Sequence, residues 1–239
     1  SDEAFAGGIA QDSLNGAFGM KLHEHDRYNG SHRALKSYHF FGSKIICLGS
    51  EIENINNQYN TETTIFQLAV SSQEDKNYWS NYKGDTYWHD HVGNSYYIPN
   101  NTRKKLVFEK NFPQASRYQN NAKPNSGDWV NLVINHGKKP QKEEYEYVIM
   151  PPTKLNDAKK IALSYTVLQT DNKAHIVKDK TSATTSFVLF ETPRSVPSEI
   201  ISSVDTASLV MLQEREDGIL LTVANPDLAF YRGPSQEMF

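Results

Sequence analysis

The chain has 239 residues, with 25 Lys and Arg against 28 Asp and Glu, a formal net charge of −3 and a single cysteine. This length can bury a hydrophobic core without disulfides, and one cysteine excludes an intrachain disulfide. The charge balance excludes the general basic surface of a nucleic-acid-binding protein, and no stretch approaches the roughly 20 apolar residues of a membrane span. We therefore expect neither nucleic acid nor membrane as a partner, and any anionic partner needs a local group of Arg, Lys and His.

Short β-strands dominate the pattern, because apolar and aromatic runs alternate along the chain with Gly, Asn, Asp and Pro. Residues 37–52 predict a hairpin whose two strands join at Gly42–Ser43. Near the end of the chain, Asp217–Gly218 predicts a type I′ turn, in which both central residues have positive φ. The runs between these hairpins are TTIFQLAV, SYYIP, KLVFEK, WVNLVIN, YEYVIMP, AHIVKD, TSFVLFE and ASLVMLQE.

One helix is predicted within PPTKLNDAKKIAL, residues 151–163, because its apolar residues recur at helical spacing. Thr153 is the candidate N-cap, and the alternative is a loop with one helical turn. Residues 118–128, YQNNAKPNSGD, predict a long surface loop. Closely spaced strands with a single helix predict an all-β fold of antiparallel sheets packed face to face.

Two histidine motifs are candidate metal sites. HEHD at residues 23–26 and HDH at residues 89–91 each place two imidazoles on one face of an extended strand. A zinc site needs about three or four protein ligands, so neither motif is sufficient alone. We therefore expect polar strand ends here, with no metal and no other cofactor. Cys47, within IICLG, predicts a buried thiol that acts as a small hydrophobic residue.

The segment HEHDRYNGSHR is a candidate anion-binding patch for a polysaccharide. An arginine guanidinium offers a planar fork that matches a carboxylate or a sulfate. The alternative is a solvated loop of both charge signs, since two acids dilute the basic residues. The basic residues of this segment are His23, His25, Arg27, His32 and Arg33.

Three tryptophans, Trp79, Trp88 and Trp129, lie among many tyrosines. Such rings could stack on sugars. More often, large aromatic side chains of this kind anchor the core or a loop.

Five segments occur in an order that resembles a known enzyme family. They are GAFGMKL, ALKSYHFFGSKIICLGSEIEN, TETTIFQ, INHGKKPQKEEYEYVIMP and HIVKDKTSATTSFVLFE. Together they resemble the central β domain of the eighth polysaccharide lyase family, the chondroitin, hyaluronan and xanthan lyases, and are most similar to the chondroitin sulfate ABC lyases. The resemblance extends from about Phe5 to about Pro226.

This resemblance implies a large antiparallel β-supersandwich of the galactose-mutarotase-like type, with at most one or two short helices. It implies that residues 1–239 are a single domain excised from a larger lyase, without the helical toroid that precedes it and the small β domain that follows it. The toroid would be an intramolecular partner, and the substrate would be an anionic glycosaminoglycan. Such an enzyme would be a secreted or periplasmic bacterial protein.

The resemblance also implies cleavage by β-elimination, in which a base removes the proton next to a sugar carboxylate and an acid protonates the leaving oxygen. In the family these groups lie mostly on the toroid, so no residue here is matched to them and the isolated chain is expected to be inactive. One Glu of the sandwich, in a Ser-Leu-Glu-Gly segment, matches Asn15 in SLNG. An amide forms hydrogen bonds but cannot accept the proton.

The remaining histidines are expected to be structural. By the same resemblance, His89 and His91 fall on the rim of a hairpin, and His136 in INHGKKP falls in a turn. Two further hypotheses stay open: a β-sandwich that binds polysaccharide without chemistry, and a self-contained mutarotase-like enzyme that uses paired histidines and a carboxylate.

Overall fold

The structure, a computed structural model, describes residues 3–25, 27, 30–70, 86–115, 126–192 and 195–229. Asp26 of the first histidine motif, Trp79, and residues 118–125 of the predicted surface loop lie outside these described residues. In the described ranges, no helix is both long and apolar enough to cross a membrane.

Antiparallel strands make up most of the described chain, and they are joined by turns, loops and two short helices, which confirms the predicted fold class. The helices are α1 (Asn100–Arg103) and α2 (Leu155–Ala162). The strands are β1 (Ala6–Ala10), β2 (Asn15–His23), β3 (Arg33–Phe41), β4 (Lys44–Glu53), β5 (Thr61–Ala69), β6 (Tyr87–His89), β7 (Ser95–Tyr97), β8 (Leu106–Ala115), β9 (Ser126–Gly137), β10 (Glu143–Met150), β11 (Tyr165–Thr170), β12 (Ala174–Asp179), β13 (Thr184–Leu189), β14 (Ser208–Arg215) and β15 (Gly218–Ala224).

The strands form three antiparallel sheets in layers. A seven-stranded sheet has the order β1-β2-β3-β4-β10-β7-β6, a five-stranded sheet runs from β11 to β15 in chain order, and a three-stranded sheet has the order β5-β9-β8. One hydrophobic core lies between the seven-stranded and five-stranded sheets, and a second lies between the seven-stranded and three-stranded sheets. The seven-stranded sheet is therefore the middle layer.

β4 explains how one strand serves both cores. Successive side chains of a strand point to opposite faces, so Ile46 and Leu48 pack into the first core while Cys47 packs into the second. A strand buried on both faces has a continuous apolar sequence, as in KIICLG. The predicted burial of Cys47 is confirmed, and desolvation raises the pKa of its thiol to about 12.

Close sheet packing also explains why glycine-rich segments form β1 and β2, which the strand pattern did not predict. A Cβ at Gly19 of β2 would lie 2.4 Å from Cγ1 of Val188 on the five-stranded sheet. Glycine in a strand interior often marks such a close approach. The residues that weaken the strand pattern therefore allow the two sheets to meet.

The predictions of the helix and of the first hairpin are confirmed, but the prediction of Thr153 as the N-cap is wrong. α2 begins after Lys154, which makes no side-chain capping hydrogen bond. The Thr153 hydroxyl instead donates to the carbonyl oxygen of Pro151. The hydroxyl of Thr153 therefore bonds to the carbonyl of Pro151 and does not cap the helix.

Two turn predictions need correction. Arg215 pairs with Gly218, so the central residues of the last hairpin turn are Glu216 and Asp217, one position earlier than predicted. Neither has positive φ, whereas Gly218 has φ +149° at the start of β15, so the turn is not type I′. β9 begins at Ser126, so the last three residues of the predicted surface loop belong to a strand.

A chain of buried polar side chains crosses the first core. His175 contacts the hydroxyls of Ser37 and Ser50 through Nδ1 and Nε2, each at 2.8 Å. His39 contacts Ser37 and Ser186 through Nε2 and Nδ1, each at 2.9 Å. All five side chains are fully buried. Desolvation lowers the pKa of each histidine to about 3, so both imidazoles are neutral at pH 7.

Acid should destabilise the fold through these two histidines. An imidazole in the unfolded chain gains its proton near pH 6.5, whereas in the folded core it does so only near pH 3. Between these values the unfolded state binds more protons, so the free energy of unfolding falls as the pH falls, by about 1.4 kcal/mol per pH unit for each histidine. Urea denaturation of His175→Gln at a series of pH values should show a lower free energy of unfolding at pH 7. The dependence of that free energy on pH should be shallower by about the same amount.

A matched core variant without a titrating group is the control. Val188→Ala, at a fully buried position, should lose stability while keeping the original pH slope. Equal slopes for the unmodified chain and His175→Gln would contradict the assignment of the acid sensitivity to this network.

Candidate functional site

Asn15, the position matched to a family Glu, opens β2 and is 6% exposed. The carboxylate of Asp12 accepts hydrogen bonds from the Leu14 and Asn15 amides, each at 2.7 Å, and from Asn15 Nδ2 at 2.9 Å. The Leu14 amide, followed by the Asn15 side chain, lowers the pKa of Asp12. Asn15 Oδ1 is buried and has no hydrogen-bond partner among the described residues. The amide is therefore held in place with one acceptor still unused.

A cavity of about 360 Å³ adjoins Asn15. Its lining includes a buried ion pair between Lys44 Nζ and Asp179 Oδ1 at 2.5 Å, with the two side chains 4% and 2% exposed. Asp179 also accepts hydrogen bonds from the Ser182 amide and hydroxyl, each at 2.8 Å, and Lys44 donates to Ser164. A buried charge pair needs such extra hydrogen bonds to offset its desolvation, so both ions are committed to the fold.

The other end of β2 carries part of the predicted anion patch. Antiparallel pairing aligns His23, Arg33 and Glu53 in one row across β2, β3 and β4. These three residues line two neighbouring clefts of about 320 and 770 Å³. The row therefore forms the wall that the two clefts share.

The two clefts differ in charge. The smaller one sets Lys21, His23 and Arg33 against several carboxylates, which are Glu3, Glu51, Glu53 and Glu191. In the larger one, Arg33, Lys139 and Lys142 face Glu53 as the one carboxylate among the described lining residues. The larger cleft therefore has the surplus of positive charge that an anionic chain requires.

The remaining members of the patch do not join these clefts. His25 and Arg27 are exposed on the connecting loop, where the Arg27 amide donates to His25 Nδ1 at 3.0 Å. His32 is half-buried, and desolvation lowers its pKa. The structure thus brings His23 and Arg33 together and directs the other three basic residues elsewhere.

The two candidate regions lie far apart. Asn15 and His23 are the first and last residues of β2, so about 26 Å separate them at roughly 3.3 Å per residue. One sugar residue cannot contact both regions. A polymer could contact both, and each region needs its own functional test.

The HDH motif forms a hairpin of β6 and β7. Asp90 is 1% exposed, and its carboxylate accepts from the Val92 amide at 3.0 Å, the Asn94 amide at 2.8 Å and the Tyr96 hydroxyl at 2.7 Å. His89 Nδ1 contacts the Ser95 hydroxyl at 3.1 Å. Asp90 therefore closes the turn, and its oxygens are engaged by protein donors. Over the described ranges, no group of three His, Cys, Asp or Glu is placed to hold a metal ion.

The prediction that His136 falls in a turn is wrong. His136 is buried in β9, one residue before the strand ends. Its Nε2 contacts the Thr63 hydroxyl at 3.0 Å, and its ring centroid lies 6.2 Å from that of Tyr145. Desolvation, followed by the charge of Lys105, lowers the pKa of His136 to about 4. The strand continues here because the three-stranded sheet packs its inward face on the second core.

The described tryptophans are packing residues. Trp88 is 7% exposed, with its ring centroid 5.0 Å from that of Phe108. Trp129 is half-buried on β9. Neither lines the cavity beside Asn15 or the two clefts beside Arg33.

Comparisons with known proteins place these features in a family. The model described as polysaccharide lyase family 8, super-sandwich domain, matches residues 1–162. Over its whole length the chain is 54% identical to the chondroitin sulfate ABC exolyase of Bacteroides thetaiotaomicron and 35% identical to that of Proteus vulgaris. It spans 24% of the length of each of these relatives.

A solved structure shares the fold. The chondroitin AC lyase of Streptomyces coelicolor A3, in a complex with chondroitin sulphate, aligns with 93% of this chain and 29% of its own at a TM-score of 0.76. Sequence identity in that alignment is 18%. The layered sandwich is therefore common to chains that differ at most positions.

Proposed function

Because the chain belongs to polysaccharide lyase family 8, as its five resembling segments predicted, we propose that it is the β-sandwich domain of a chondroitin sulfate ABC-type lyase. The observation that carries this proposal is the 54% identity to a chondroitin sulfate ABC exolyase over the entire chain. The whole enzyme would cleave a glycosaminoglycan by β-elimination and, because its polymeric substrate lies outside the cell, would be secreted or periplasmic.

The domain would form one wall of the substrate cleft, with the chemistry supplied elsewhere in the polypeptide. β-Elimination needs a base, an acid and a group that neutralises the sugar carboxylate, all converging on one sugar. Beside Asn15, the charged pair Lys44–Asp179 is buried and already engaged. The unused Asn15 Oδ1 can accept a hydrogen bond from a sugar hydroxyl but cannot act as the base. A helical toroid domain is the proposed source of the reacting groups.

The surplus of positive charge in the larger cleft supports polysaccharide binding at the Arg33 end. The same observation favours a second candidate function, a sandwich that only holds the polymer. Measuring the activity of the isolated chain and of the intact enzyme distinguishes a lyase domain from a sandwich that only binds the polymer.

The isolated 239-residue chain should not depolymerise chondroitin sulfate, dermatan sulfate or hyaluronan. Losing one member of a catalytic constellation commonly reduces the rate by about 10²- to 10⁴-fold, and most members would be missing here. Ultraviolet absorbance of the unsaturated uronate product measures turnover, with the intact enzyme as positive control. Clear turnover by the isolated chain would support the self-contained enzyme, and an inactive intact enzyme would support the binding module.

Arg33→Gln in the intact enzyme should raise KM by about three- to tenfold, the equivalent of one lost hydrogen bond or weak ion pair. The difference should shrink with added salt, because exposed charges are screened over about 8–10 Å at physiological ionic strength. Arg27→Gln, at an exposed arginine outside both clefts, is the matched control. If both variants show the same small change, the Arg33 end does not bind substrate.

Asn15→Ala in the intact enzyme should lower kcat by about fivefold, because one sugar hydrogen bond contributes about 1 kcal/mol. Asn15→Asp keeps the shape of the side chain but replaces the Nδ2 donor opposite Asp12 with an oxygen. This variant should therefore disturb the turn in addition to changing kcat. Steady-state kinetics and a thermal unfolding curve for each variant separate the two effects. Unchanged kcat in a folded Asn15→Ala enzyme would make Asn15 purely structural.

A further inference from the structure

A group of polar side chains lies in the second core, between the seven-stranded and three-stranded sheets, and has no part in the proposed function. Lys36 and His32 come from β3 and the residue before it, Tyr145 from β10, His136 from β9 and Thr61 from β5. We call these five residues the interlayer cluster. Tyr145, Thr61 and His136 are 2%, 7% and 8% exposed, whereas Lys36 and His32 are half-buried at the rim.

The sheet register places the cluster members from the middle layer side by side. Lys36 and Tyr145 both pair with Gly49 of β4, so their side chains share one face with the glycine between them. A Cβ at Gly49 would lie only 2.2 Å from Cε1 of Tyr145. The Tyr145 ring therefore lies across β4 in space that any other residue at position 49 would fill.

The facing three-stranded sheet contributes the rest. Side chains of β9 and β5 alternate in and out, and His136 and Thr61 are both on the buried side. The ring centroid of His136 is 6.2 Å from that of Tyr145, which brings the two layers into contact at this point.

Buried polar atoms remain unsatisfied at this place. Among the described residues, hydrogen-bond partners are missing for His32 Nδ1, Thr61 Oγ1 and His136 Nδ1, whereas the Tyr145 hydroxyl interacts with that of Tyr38. Each sits in a core where an unpaired polar group is costly. Three such atoms on the same interlayer cluster indicate an occupant that bonds to them.

The charge of the cluster indicates the chemistry of that occupant. In the described part of the chain, no carboxylate pairs with the ammonium group of Lys36, and desolvation lowers its pKa. The nearby Glu143 pairs with Lys105, and it lies 4.0 Å from His136 Nδ1. Desolvation is the largest cause of the lowered pKa of His136; among the neighbouring charges, those of Lys105, Lys36 and His32 lower this pKa and that of Glu143 raises it. Because Glu143 is paired with Lys105, the charge left over in the cluster is that of Lys36, which disfavours a metal ion and favours an anion.

We propose that the interlayer cluster binds one small oxyanion, of the sulfate or phosphate type, between the two sheets. The Lys36 ammonium and the Thr61 hydroxyl are hydrogen-bond donors, and each imidazole can present an N–H to an oxygen. A water molecule would satisfy the same atoms without compensating the charge of Lys36, so the anion is the better match.

The site is separate from the clefts beside Arg33. Arg33 and Lys36 are three positions apart on β3, so their side chains lie on opposite faces of the sheet. A variant at each position therefore tests a different surface.

Isothermal titration of the intact enzyme with sodium sulfate, with sodium chloride balancing the ionic strength, tests the proposal. We expect one saturable sulfate per chain, with binding weakened at least tenfold by Lys36→Met and several-fold by Thr61→Val, which keeps the shape of the side chain. Lys104→Met, at an exposed lysine beside α1, and Arg33→Gln should both leave this binding unchanged. Circular dichroism confirms that each variant is folded.

The outcomes are distinct from those of the proposed function, because the readout is binding of an inorganic ion and not turnover. Loss of sulfate in Arg33→Gln but not in Lys36→Met would move the site to the clefts and overturn the proposal. Absence of saturable binding, or equal binding in the unmodified enzyme, Lys36→Met and Thr61→Val, would also overturn it and leave water as the occupant.

Discussion

The burial of the seven-stranded sheet on both faces is the constraint on which the rest of this structure depends. A half-buried strand can alternate apolar and polar residues, but a strand covered on both sides has no solvent face. β4 shows the result, with Ile46 and Leu48 facing one core and Cys47 facing the other, all at 0% exposure. Gly19 belongs to the same constraint, because it has no side chain where the five-stranded sheet comes close, whereas Gly49 leaves room for the ring of Tyr145 on the neighbouring strand of its own sheet.

Polar residues within such a middle layer must find partners in the neighbouring layers. The two histidines of the first core meet this requirement, since both nitrogens of His39 and of His175 contact serine hydroxyls. His136 of the second core does not, since its Nε2 contacts Thr63 while its Nδ1 forms no hydrogen bond and lies 4.0 Å from the Glu143 carboxylate. Two groups of buried histidines in one domain therefore differ in kind: one completes a structural network, and the other has the unfilled bonds of a binding site.

Surfaces available to a polymer are consequently found at the ends of strands. Asn15 with its cavity and the Arg33 clefts lie at opposite ends of the same sheet, and neither presents a complete set of acid, base and carboxylate-neutralising groups. This distribution suits the proposal that the reacting groups come from outside this chain, which spans 24% of the length of the two chondroitin sulfate ABC exolyases. The buried Lys44–Asp179 pair has the residue types of an acid and a base, but its hydrogen bonds commit it to the fold.

The sequence by itself determined the all-β class, the hairpin at Gly42–Ser43, helix α2, the burial of Cys47 and the family, because these depend on local periodicity, turn chemistry and ordered motifs. It did not determine β1 and β2, whose glycines weaken a strand pattern for reasons that lie in another sheet. It placed five basic residues of HEHDRYNGSHR in one patch, whereas strand alternation directs His32 and Arg33 to different surroundings. The Ser37–His39–His175 network and the interlayer cluster left no sequence motif, since their members are far apart in the chain and only the packing of three sheets brings them together.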